Sequence, residues 1–171
     1  PWMSLIAASA VLLILGFFYF DLEKGTSGIS VLPDDLPAKI GFQTLDDKFG
    51  FGSDAQAVIV IDGDVDSEPI ASALAALELS MVDDAGLPAP DVRIEPTENL
   101  AVLRSSIPGD PQGQEALGTI RDLRSTIIPN AFSGVSDDSY EALVGGGPAE
   151  VVDSVAITDE YLPIVFASVL S

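Results

Sequence analysis

The chain has 171 residues, of which 27 are acidic and 7 basic, for a formal net charge of -20 with no cysteine and no histidine. A surface this negative repels phosphate backbones and argues against nucleic acid as a partner. Without cysteine there is no disulfide or thiolate chemistry, and without histidine the commonest general base and transition-metal ligand is missing.

Every charged residue lies within 21–161, between two uncharged ends. Residues 3–20 form one apolar run, about the length a helix needs to cross a bilayer core. Phe17, Phe18, Tyr19 and Phe20 close it, and such rings collect at a membrane interface; Trp2 suits the other end. A signal peptide is disfavoured, because no Lys or Arg precedes Lys24 and four aromatics make no cleavage site. A buried core helix is the third reading. Residues 162–171 form a second, shorter apolar stretch. The two ends predict an extramembrane domain strung between membrane helices, the second truncated. The start at Pro1-Trp2 and the stop inside an apolar run predict a piece of a larger membrane protein.

Asp21 to Pro33 has no period and reads as an extended connection. Asp34-Asp35 offers a helix N-cap ahead of Leu36, Ile40, Leu45 and Phe49, with Gly50 and Gly52 ending that helix. The run Ala57-Val58-Ile59-Val60-Ile61 is continuous and β-branched, so it predicts a buried strand in which an aspartate at Val60 would be intolerable. Ser67 and Pro69 start a helix with Ile70, Leu74, Leu77 and Met81 on one face. Val92–Glu95 and Ala101–Ile107 read as strands joined by a polar turn at Pro96–Asn99. Asp110 as cap and Pro111 at the first position open a third helix along Leu117, Ile120, Leu123 and Ile127, which Pro129 stops. Tyr140–Val144 is a last strand. Gly145-Gly146-Gly147 then breaks the chain, and Pro148 starts a helix into the terminal apolar segment, with a kink expected at Pro163.

From 56 to 145 the order is strand, helix, strand, strand, helix, strand. That predicts an α+β, ferredoxin-like split βαβ unit, its helices on one face of an antiparallel sheet and the strands at 57–61 and 101–107 central. The division expected is 1–20 transmembrane helix, 21–33 linker, 34–147 extracytoplasmic domain and 148–171 helix leading into the membrane.

Two stretches carry a family resemblance: Gly28-Ile-Ser-Val-Leu-Pro-Asp-Asp-Leu-Pro-Ala-Lys-Ile-Gly-Phe42, followed by Leu45 and Phe49-Gly50, and Leu143-Val-Gly-Gly-Gly-Pro-Ala-Glu-Val-Val-Asp153. The chain resembles the membrane protein large (MMPL) family of transporters in the resistance-nodulation-division (RND) superfamily. The linker is similar to that of the second repeat, which would make the membrane segments the seventh and eighth. The resemblance implies a porter domain of a proton-driven, multi-pass exporter in the cell membrane, acting on lipids or other hydrophobic or amphipathic small molecules. It implies no enzyme activity, cofactor, metal or catalytic residue in this piece, since the family's proton-carrying acids lie in later membrane helices. The rest of its own chain is the expected partner, and a homo-oligomer stays open. The alternative is a membrane-anchored ectodomain that senses or scaffolds a partner protein.

Other motifs read weakly. Asp62-Gly-Asp64-Val-Asp66 begins like a calcium loop but has Ser67 and Ala73 where glycine and glutamate are required. Gly145, Gly146 and Gly147 lack the Lys and Ser/Thr of a phosphate loop and read as a hinge. The paired acids, such as Asp83-Asp84 and Asp137-Asp138, read as solvated surface and not as a hydrolase dyad.

Overall fold

The computed structural model describes residues 2–20, 28–49 and 55–170. The ends proposed for the first linker helix at Gly50 and Gly52, residues 21–27 of the connection and the side chains of residues 15–20 lie outside the described set.

The protein is α+β. A helix α1 (Trp2–Phe20) covers the first apolar run, and its described apolar side chains are exposed, Trp2 and Leu12 among them. A short 3-10 turn (Ile29–Val31) leads to α2 (Pro37–Phe49). Lys39 Nζ, 2.8 Å from both the Leu32 carbonyl oxygen and Asp34 Oδ1, pins the chain where it enters that helix. Among the described residues no helix is long and apolar enough to cross a membrane.

The sheet has four strands: β1 (Gln56–Gly63), β2 (Asp91–Glu95), β3 (Leu100–Ser106) and β4 (Tyr140–Gly145). Their order is β2-β3-β1-β4, with every neighbouring pair antiparallel. The strands expected to be central are central. Between β1 and β2 runs α3 (Glu68–Asp83); between β3 and β4 run α4 (Gln114–Asp122), a π-turn (Leu123–Ile127) and α5 (Ile128–Ala131). After β4 comes α6 (Gly147–Leu170), one helix of 24 residues that continues through Pro163.

One face of the sheet meets the helices. Ala57, Ile59 and Ile61 of β1 and Ala101 and Leu103 of β3 are wholly buried against Ile70, Leu74, Leu77 and Met81 of α3 and Ile120 and Leu123. Each such large apolar side chain contributes about 1.5–3 kcal/mol on burial. The other face is open. Register puts Val60 in a row with Val102, Leu143 and Arg93, and Val60 is only half-buried. The expectation for Val60 is therefore wrong: helices cover a single face, so Ile59 and not Val60 points into the core.

Two helix boundaries also differ from expectation. Asp110 does not cap α4. Its Oδ1 accepts the Gln112 N–H at 3.0 Å and its carbonyl accepts the Gly113 N–H, so Pro111 sits in a turn and the helix begins at Gln114. Pro129 does not stop the third helix. Proline has no N–H to donate and crowds the carbonyl four residues back. The preceding turn widens to i→i+5, the Ile128 N–H reaching the Leu123 carbonyl, and the helix passes Pro129 to end at Ala131. Ser67 sits at the α3 N-cap position, yet its hydroxyl donates back to the Asp64 carbonyl instead of accepting from the helix.

Candidate functional site

The three glycines lie where β4 passes into α6. Gly145 still belongs to the strand, paired with Val58. Gly146 has φ +108°, and a Cβ placed on it would lie 1.9 Å from the Gln56 carbonyl oxygen. Only glycine fits there. The Gly146 carbonyl accepts the first bond of α6, from the Glu150 N–H at 3.0 Å. Pro148 and Ala149 follow at once into the core. The first turn of α6 is thus seated in the domain, and Gly146 is demanded by the turn itself, whatever motion the joint allows.

Arg124 ties this joint together. It is the second residue of the π-turn, opposite the joint. Its guanidinium forks onto both oxygens of Asp153 on α6, with Nη2 to Oδ2 at 3.0 Å, and Nη2 also donates to the Val144 carbonyl at 2.6 Å. One side chain therefore links the helix, the end of β4 and α6 across the glycines. Planar, two-pronged pairing of this kind is the strongest form of a surface ion pair. The bonds from Arg124 hold the Asp153 carboxyl below the ordinary aspartate value, and Asp153 in turn raises Arg124. Both groups remain partly open to water, at 33% and 53% exposure, so solvent screens the pair.

Beside Arg124 a groove of 610 Å³ runs along β4, walled by Ile128, Pro129, Tyr140, Glu141 and Asp137. Tyr140 stacks on Phe132 with ring centroids 4.4 Å apart. Burial, and then the charge of Asp137, raise the pKa of its hydroxyl, which stays protonated at neutral pH.

The remaining sequence motifs do not converge. Asp62, Asp64 and Asp66 are exposed around a turn that Ser67 closes, and among the described residues no three metal-ligating side chains share a site. Asp83, Asp84, Asp137 and Asp138 are exposed. The α3 stripe packs into the core against the sheet. Sequence reasoning found the glycines but missed Arg124 and Asp153, which are 29 residues apart with no local pattern to link them. No protein-family model and no curated protein matches the chain.

Proposed function

We propose that this chain is the extracytoplasmic porter domain, with its two membrane-directed helices, of a proton-driven exporter of the MMPL type. Its cargo would be lipids or other hydrophobic or amphipathic molecules. Three features support this reading. The four-stranded antiparallel sheet, with a helical crossover in each half, is compatible with the split βαβ, ferredoxin-like unit that the resemblance implies for a porter. The uncharged run 3–20 forms one helix. The glycine joint sits at the boundary where domain and membrane segment would meet.

The observation that carries the proposal is α6. It is one helix, seated in the core by Pro148 and Ala149 at its start and bare at its end, where Ile164, Val165, Phe166 and Val169 are all more than half exposed. Contiguous apolar surface of this kind needs cover, and lipid or neighbouring membrane helices supply it. Such a helix would carry movement at the membrane directly into the domain, with the Arg124–Asp153 pair keeping the joint in register.

Export from inverted membrane vesicles tests this. Vesicles carrying the complete reading frame should accumulate a fluorescent amphipathic compound when their interior is acidified, and a protonophore should abolish the accumulation. Accumulation equal to that of vesicles lacking the protein, with or without the protonophore, would instead support the anchored, partner-binding ectodomain.

A further inference from the structure

The two edges of the sheet are finished differently. On the outer strand β2, Asp91, Arg93 and Glu95 are all exposed. Charges alternating along an edge discourage strand addition. The β4 edge has no such fence.

Which backbone groups β4 leaves free follows from β1. The Gly63 N–H bonds the Asn99 carbonyl at 2.8 Å, on the β3 side, and the Ala55 carbonyl accepts from Ile107 on that same side. Backbone groups alternate sides along a strand, so Ile59 and Ile61 also turn toward β3, and Val58, Val60 and Asp62 turn toward β4. Their partners Gly145, Leu143 and Glu141 bond β1. Tyr140, Ala142 and Val144 then direct their N–H and C=O groups away from the sheet. Arg124 takes the Val144 carbonyl. Ala142 has no backbone partner on its outer side among the described residues. The edge opens into the 610 Å³ groove, whose wall includes the apolar Ile128 and Pro129 and three acids, Asp137, Glu141 and Asp153. The positive charge in the groove, Arg124, is already matched by Asp153.

We propose that the β4 edge is a docking site for an extended segment of a partner protein in which apolar residues alternate with lysine or arginine. The segment adds as a fifth strand, exchanging backbone hydrogen bonds with Ala142. One set of its side chains packs on Ile128 and Pro129, and the other meets Glu141 and Asp137. Charge selects this occupant. A second copy would bring Asp137 and Glu141 against themselves on a chain of net charge -20, and an anionic headgroup would be repelled for the same reason. Arg124, by holding the Val144 carbonyl, marks where the added strand ends. This inference does not depend on transport.

The test is amide hydrogen exchange on the full chain in nanodiscs of zwitterionic lipid, with blocked pentapeptides as probes. One peptide alternates valine with lysine, a second valine with glutamate, and a third is the lysine peptide N-methylated on its pairing amides. The lysine peptide should slow exchange at Ala142 by about tenfold or more, and the other two should not. In a chain carrying Glu141→Lys and Asp137→Lys, both exposed positions, the preference should reverse to the glutamate peptide. Equal effects of the lysine and glutamate peptides would overturn the proposal. So would slowing by the N-methylated peptide, protection centred on β2, or a dimer that protects Ala142 without peptide.

Discussion

Alanine at Gly146 is expected to destabilise the domain far more than alanine at its neighbour Gly145. At Gly146 the backbone has φ +108° and a new Cβ would overlap the Gln56 carbonyl oxygen, a main-chain atom that cannot rotate away. The unusual dihedral alone costs about 1–3 kcal/mol for a residue with a side chain. Shifting the joint to relieve the overlap also strains the Arg124 bond to Val144, worth about 1 kcal/mol. Together these give a loss of roughly 2–4 kcal/mol, a large part of a domain's usual stability of about 5–15 kcal/mol. At Gly145 the nearest atom to a new Cβ, the Val58 carbonyl oxygen, is 4.0 Å away, so Gly145→Ala should stay within about 1 kcal/mol of the parent. Thermal unfolding of the full chain, followed by far-ultraviolet circular dichroism, reads the difference. Trp2 lies in α1, so tryptophan fluorescence would not report on the sheet. For a chain of this size the Gly146 loss corresponds to a fall in Tm of roughly 5–15 °C. Equal melting of the two variants would refute the geometry of the joint.

The open and closed faces of the sheet make a second contrast. Ile59→Asp places a carboxylate in the core and should prevent accumulation of folded protein, while Val60→Asp, on the half-open face, should accumulate and melt within a few degrees of the parent; matching behaviour would mean that the faces are misassigned. For the clamp, a double-mutant cycle of Arg124→Ala and Asp153→Ala should give a coupling on the order of 1 kcal/mol, discounted for exposure and weakening as salt is raised; additive losses would remove the clamp from the account. Because folding lowers the Asp153 pKa, the pair stabilises the protein above the ordinary aspartate range. That contribution is lost as pH falls below about 4, so urea midpoints of parent and Asp153→Asn should converge on acidification.

The order of strands and helices was legible because the main elements carry local signals, a helical stripe in α3 and a continuous β-branched run in β1. The α3 stripe at Ile70, Leu74, Leu77 and Met81 survives intact in the core. What failed was information that is not local. Five consecutive apolar residues in β1 have no alternation, so nothing in them separates Ile59 from Val60 until the helices are known to lie on one side. Asp110-Pro111 has the chemistry of a helix start, but the same Asp110 oxygen serves an Asx-type turn equally well, and the following residues decide between the two. Pro129 ends most helices; here a single π-turn absorbs it and aims Arg124 across the joint. The clamp itself joins residues on separate elements and has no sequence signature. The glycines drew notice as a hinge, and the geometry supplies a further reason for Gly146: the chain must pass close behind the Gln56 carbonyl at positive φ.

The proposed export role depends on the acidic domain standing outside the cell between two membrane segments. These 171 residues contain no cysteine, so single cysteines at Asp84 and Asp138, both exposed, report on that placement once any cysteine elsewhere in the reading frame is replaced. In intact cells making the complete reading frame, both positions should react with a membrane-impermeant maleimide before lysis. Reaction at both positions only after lysis would place the domain inside and contradict the account.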